Sequence, residues 1–208
     1  MSSTRRSLIL ACFVFAALPA GAQAPATTDV AGIKYDNTVT VGGQRLVLNG
    51  AGLRTRFAFK VYAAGLYLAQ KADTPQGVYA SAGARRLHVV MLRDIDANEL
   101  GKLFTDGMQK NTEPPEFARA IPGTVRLGEL FAAQKRMASG ESFTVDYLPG
   151  TGTTILINGR PAGEPIREAE FFGALMKIWL GPKPADGTLK EALLGVTRSA
   201  APPPSLTY

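Results

Sequence analysis

Through its first half the chain alternates apolar and polar residues with the period of two that a strand requires, and after Asp96 it changes to the spacing of a helix. Two alternating runs, 37–41 and 44–49, flank Gly42-Gly43, and paired glycines between such runs signal a hairpin turn. Leu53 to Leu68 forms a second strand region, rich in aromatic and branched residues. In "RRLHVVMLRDI", residues 85–95, Leu87, Val89 and Met91 alternate with His88, Val90 and Leu92. Both faces of this third strand are largely apolar, which predicts a central position in its sheet.

Asp96 followed three residues later by Glu99 has the spacing of a capping box, and Leu100, Leu103, Phe104 and Met108 recur at helical intervals, so a helix is predicted over 97–111. Pro114-Pro115 is expected to end or separate it, with a second helix over 125–138 that places Leu127, Leu130 and Phe131 on one face and stops at Gly140. Alternation returns at "ESFTVDYLPGTGTTILING" as a second hairpin, with Pro149-Gly150 at its turn and residues 154–158 as the return strand. Phe171, Leu175, Ile178 and Trp179 then mark another helix, and Thr188 with Glu191 suggests a capping box for a short last one. Strands at both ends with helices between and after define an α+β domain, a sheet covered by helices on one face.

The N-terminal pattern differs in kind. Two arginines, Arg5 and Arg6, precede an apolar run from Leu8 to about Pro19, and a small-residue site at Ala20-Gly21-Ala22 follows. This is the pattern of a secretory signal peptide, 1–22, with cleavage expected after Ala22. The run is shorter than the roughly 20 residues that span a bilayer, so no integral membrane span is expected. Residues 23–30 read as a flexible lead-in, 31–197 as one domain, and 198–208, "SAAPPPSLTY" from Ser199, as a flexible Pro-rich tail. An exported, periplasmic protein is the expectation.

Loss of 1–22 leaves 21 basic and 17 acidic side chains, a formal charge of +4 against +6 for the whole chain. The basic residues are scattered without interleaved aromatics, which argues against nucleic-acid binding and leaves an acidic ligand compatible. Cys12, the only cysteine, lies inside the leader, so the mature protein is expected to have no disulfide, thiol nucleophile or cysteine metal ligand. No phosphate loop, nucleophile elbow or dinucleotide fingerprint occurs, and no cofactor is expected. "GAGLR" and "GTGTT" flank strands and read as turns. His88 is the only histidine, which excludes multi-histidine metal sites, and its mid-strand place suits a structural role. Asp94 and Asp96 show no paired-acid arrangement, and Trp179 suits core packing, with a ligand-lining role compatible.

Arg54, Arg56, Lys60 and Tyr62 are the remaining candidates. Their even spacing puts all four on one face of an unbroken strand, but Arg54 and Tyr62 would then lie about 26 Å apart at roughly 3.3 Å per residue. A tight connection around residues 55–57 would instead bring Arg54 across from the Lys60 to Tyr62 segment. The pattern allows either.

Three segments, "GAGLRTRFAFKVYAAGLYL", "YLPGTGTTILINGRPAG" and "FFGALMKIWLGPKPADGTLKEALLG", together resemble the chalcone isomerase-like proteins, in their exported bacterial branch. The resemblance covers about Ala31 to Gly195 and implies an open-faced β-sandwich, a large antiparallel sheet covered by a layer of helices, with a ligand cleft between them. The family includes flavonoid isomerases, which close a chalcone ring by intramolecular addition, and non-catalytic relatives that bind fatty acids. Arg54 matches the isomerases' arginine, whereas Tyr62 stands at their threonine, Leu100 and Gly107 at their catalytic tyrosine and asparagine, and Met91 at their lysine. An arginine and a tyrosine in these two places resemble the fatty-acid binders, where the pair grips a carboxylate.

The resemblance therefore implies a non-catalytic binder of a small amphipathic acid, such as a fatty acid, through Arg54 and Tyr62, with Arg56 and Lys60 on the surface. The alternatives are an intramolecular lyase or isomerase acting on an enone or phenolic substrate, with Arg54 stabilising an oxyanion, and an envelope interaction module whose cleft is vestigial.

Overall fold

The computed structural model of the chain describes residues 26–196; the expected leader, 1–22, and Pro-rich tail, 198–208, lie outside them. The chain starts with a hairpin of β1 (Thr27–Val30) and β2 (Ile33–Asp36). Residues 27–30 were expected within a loose lead-in, yet they pair residue for residue with 33–36. Tyr35 explains why: its ring lies on Gly65 of the main sheet, where any Cβ would come within 2.6 Å of it. Local polarity hid a hairpin that one buried tyrosine fastens down.

Next come β3 (Thr38–Val41) and the 13-residue β4 (Gln44–Arg56), joined by Gly42 and Gly43 at φ 55° and 77° as the sequence predicts. The strand region 53–68 is two strands, the end of β4 and β5 (Phe59–Leu68), which turn back on each other at Phe57 and Ala58. Helix α1 (Pro75–Ala80) and strand β6 (Arg85–Met91) follow. A two-residue strand β7 (Ile95–Asp96) leads into α2 (Ala97–Asn111), where the Asp96 side chain accepts from the Glu99 N–H as expected of its cap.

Helix α3 spans Pro114–Ala132, not 125–138. Pro114-Pro115 starts the helix, because a first-turn proline forfeits only an N–H that has no helical partner. Pro122 lies within the helix, which is held by burying Ala120, Gly123, Leu127 and Phe131. Residues 136–137 are instead a short strand, β8 (Arg136–Met137), paired with β7. The second hairpin is β9 (Ser142–Leu148) and β10 (Gly152–Ile157), followed by β11 (Arg160–Pro161), α4 (Ala169–Leu180) and α5 (Gly187–Leu193). The cap of α5 is Asp186, accepting from the Leu189 N–H, in place of the expected Thr188–Glu191 box.

The main sheet has seven antiparallel strands in the order β11-β10-β9-β6-β5-β4-β3, so β6 is central as predicted. One face carries Leu66, Leu87, Val89, Phe143 and Val145 into the principal core with residues of α2, α3 and α4. The other carries Leu46, Leu48, Ala63 and Tyr67 into a smaller core with Tyr35. Among the described residues no helix is long and apolar enough to cross a membrane.

"GAGLR" is not a turn but mid-strand, inside β4. A Cβ on Gly50 would clash with the Ala192 carbonyl, and one on Gly52 would sit 2.5 Å from the Ala192 Cβ, so the two glycines let α5 lie directly on the strand. Just before them Asn49 is bulged out of register, and its side chain donates to the carbonyls of Ala72 and Leu193 at 2.9 and 2.7 Å while accepting from the Ala72 N–H.

Candidate functional site

The bulge at Asn49 decides where Arg54 points. Leu48 pairs with Tyr67 on the smaller-core face, and without an extra residue every even position of β4 would follow it there. After the bulge Gly50 pairs with Leu66, on the helix-covered face, and Arg54 therefore faces the helices opposite its partner Tyr62. The Phe57-Ala58 turn supplies the tight connection that the sequence allowed. Arg54 and Tyr62 are direct cross-strand partners, so their Cα atoms lie about 5 Å apart instead of about 26 Å.

A second register shift makes Val61 the extra residue of β5, between the pairs Arg54–Tyr62 and Thr55–Lys60. Tyr62 is held from across the domain, its hydroxyl oxygen accepting from Trp179 Nε1 at 2.7 Å, with both side chains fully buried. The Arg54 guanidinium carbon sits 5.4 Å from the Tyr62 ring centre. Burial raises the Tyr62 phenol above its ordinary pKa, against the opposing Arg54 charge and Trp179 hydrogen bond. The hydroxyl therefore stays protonated at neutral pH and is a hydrogen-bond donor, not a base. Arg54 Nε is buried and has no hydrogen-bond partner.

Two hollows meet at this arginine. A cavity of about 190 Å³ is lined by Arg54, Tyr62, Leu100, Phe104, Gly107 and Lys183 among others. An adjoining groove of about 380 Å³ runs toward the hairpin tip past Phe59, Val61, Arg93 and Ile95, and shares Arg54 and Leu103 with the cavity. The space between sheet and helices beyond them is filled. Phe104, Phe131, Phe143 and Trp179 pack with ring centres 5.2 to 6.1 Å apart, so the expected cleft is confined to the Arg54 end of the domain.

Two polar side chains missed in the sequence brace this end. Asp186 caps α5 and accepts from the Thr55 N–H at 3.0 Å, fixing the residue beside Arg54, and these backbone hydrogen bonds hold its carboxyl below the usual range although burial pushes the other way. Asp186 just ahead of a helical run was a legible cap signal. Asn111 bonds both the N–H and the carbonyl of Lys183, at 2.7 and 2.9 Å, and so holds the 181–185 loop that forms a wall of the cavity. Nothing local announces that role.

Of the other sequence candidates, Arg56 and Lys60 are exposed, and Arg56 lines the outer groove whereas Lys60 does not. Leu100 and Gly107 do line the cavity, so the positions that the resemblance gives to an isomerase's tyrosine and asparagine face the site with groups unable to hydrogen-bond through a side chain. Met91 is fully buried beside Tyr62. His88 lies on the opposite face of the sheet, its Nδ1 2.8 Å from Thr144 Oγ1 and its ring edge-on to Tyr35; burial first, then nearby Arg86, lowers its pKa. Among the described residues no cluster of His, Cys, Asp or Glu is placed to hold a metal.

A seven-stranded antiparallel sheet with helices layered on one face and a polar-ended hollow at one edge is an open-faced α+β sandwich. The chain belongs to the chalcone isomerase-like family, whose sequence profile matches residues 27–195. It is similar to the crystal structure of an Arabidopsis thaliana fatty-acid binding protein, with a TM-score of 0.57 and 14% identity over 78% of this chain and 92% of that one. At that identity the likeness speaks for the fold alone. No curated protein matches the chain in sequence.

Proposed function

We propose that the protein is an exported, periplasmic binder, without catalysis of its own, of a small amphipathic carboxylate such as a fatty acid. The observation that carries this reading is Arg54, whose buried Nε lacks a partner at the junction of two hollows. Arg54 is half-buried, its buried Nε is costly to leave without an acceptor, and its planar fork fits a carboxylate. Tyr62 adds a protonated hydroxyl beside it. With the interior closed by aromatic rings, the ligand's apolar part lies along the outer groove, over Phe59, Val61, Ile95 and Leu103. The similarity to a fatty-acid binding protein is consistent with this ligand class. For turnover, neither Tyr62, which is held protonated, nor His88, on the far face, serves as a general base beside Arg54, and the carboxylate that lines the cavity is that of Asp106.

Native mass spectrometry of the protein purified from its own envelope, beside Arg54→Ala, tests the reading. A carboxylic acid should travel with the parent and be absent from the variant, and a fluorescent fatty acid should bind the variant at least about tenfold more weakly, as expected for removing a charge-assisted hydrogen bond made by a half-buried arginine. Equal binding by the two proteins would refute it.

A further inference from the structure

The β4–β5 hairpin ends in an exposed apolar tip. Phe57 and Phe59 are 82% and 63% exposed, the two most exposed large apolar side chains among the described residues. The turn is held by Phe57 and Ala58 at φ 51° and 60°, where a two-residue hairpin turn ordinarily uses Asn-Gly. A bulky aromatic residue with positive φ is disfavoured, and its ring gains little burial in return. Stability alone does not account for that phenylalanine.

Its surroundings indicate what does. Residues 54–60, "RTRFAFK", contain Arg54, Arg56 and Lys60 and no acid. The Arg56 guanidinium lies 5.5 Å from the Phe57 ring centre, and that of Arg93, in the loop between β6 and β7, lies 5.3 Å from that of Phe59. The nearby acids, Asp94, Asp96 and Glu99, line the groove instead of belonging to the hairpin, and two are already engaged: Asp94 with Arg136 and the Ser139 N–H, Asp96 with the Glu99 N–H. Two protruding aromatic rings collared by cations match the boundary of an anionic bilayer, where rings enter the headgroup region and cations meet lipid phosphates.

We propose that this hairpin tip docks the protein on an anionic lipid surface through Phe57 and Phe59, with Arg56, Lys60 and Arg93 on the headgroups. Docking turns the mouth of the outer groove toward the lipid, because both phenylalanines also line that groove. The inference does not rest on the ligand reading, although Phe59 belongs to both surfaces: vesicle binding reads the tip, and Arg54→Ala, which leaves the tip intact, tests the ligand.

Co-sedimentation of the protein with vesicles of phosphatidylcholine alone, or with about one third phosphatidylglycerol, tests it. The parent should bind the anionic vesicles, more weakly at high salt, and less well the neutral ones. Phe57→Asn/Phe59→Ser should lower partitioning by about tenfold or more while the melting temperature holds or rises, since Asn suits positive φ. Arg56→Gln/Lys60→Gln should lose about fivefold per charge and most of the salt dependence. Absence of parent binding to anionic vesicles, or undiminished binding by the phenylalanine variant, overturns the proposal. So does self-association of the parent that the phenylalanine variant abolishes without any vesicle binding, which would make the tip an interface between copies.

Discussion

Tyr62→Phe isolates the bond on which the site is built. The substitution keeps the buried ring and removes one oxygen, the acceptor of the Trp179 indole N–H at 2.7 Å. Trp179 is 1% exposed, so water does not readily replace that acceptor, and an unsatisfied buried donor costs about 1–3 kcal/mol. For a domain of this size each kcal/mol moves the midpoint by about 2–4 °C, so the variant should melt about 2–12 °C lower. Trp179 is the only tryptophan, which lets its emission follow unfolding and report on the loss of its partner in the folded state. A cycle with Trp179→Phe, followed by circular dichroism, should show coupling of about 1 kcal/mol or more, because the double variant strands neither partner. A Tyr62→Phe protein melting within about 1 °C of the parent, with unchanged emission, would falsify the assignment of this bond as the clamp on the cleft. The same variant, with Arg54 intact, should bind the fluorescent fatty acid about 10- to 150-fold more weakly, the loss of one hydrogen bond to a charged group.

Other consequences reach away from the cleft. His88 has its pKa lowered in the folded protein, so the unfolded chain binds the proton first as pH falls; stability should decline from about pH 6.5 downward, and His88→Gln should flatten the fall of urea midpoints below that pH. An unchanged slope in the variant would exclude the histidine as its source. Gly50→Ala should destabilise by about 1–3 kcal/mol in urea titrations, because its methyl meets the Ala192 backbone carbonyl and α5 must lift from β4.

Much of the domain was legible because it is periodic over short distances. The Gly42-Gly43 hairpin, central β6 and α2 with its Asp96 cap each follow from a few neighbouring residues. Misreadings occurred where a residue's usual local meaning gave way to packing. Pro114-Pro115 read as a stop and is a start, Pro122 sits inside a helix held by its neighbours, and Phe57-Ala58 carries no turn chemistry yet makes the turn. Asn49 ends the alternating run 44–49 in the sequence, but three hydrogen bonds to Ala72 and Leu193 stabilise it as a bulge.

The sequence by itself determined the α+β class, the family resemblance, and Arg54 and Tyr62 as the pair to watch. Only the tertiary structure decided that they meet, since side-chain direction in a strand reverses with each residue inserted, and one bulge turned Arg54 toward the helices. It also decided how little of the cleft is open. Trp179 reaches Tyr62 from 117 positions away, and the packing of four aromatic rings is a property of assembled volume that no local pattern encodes.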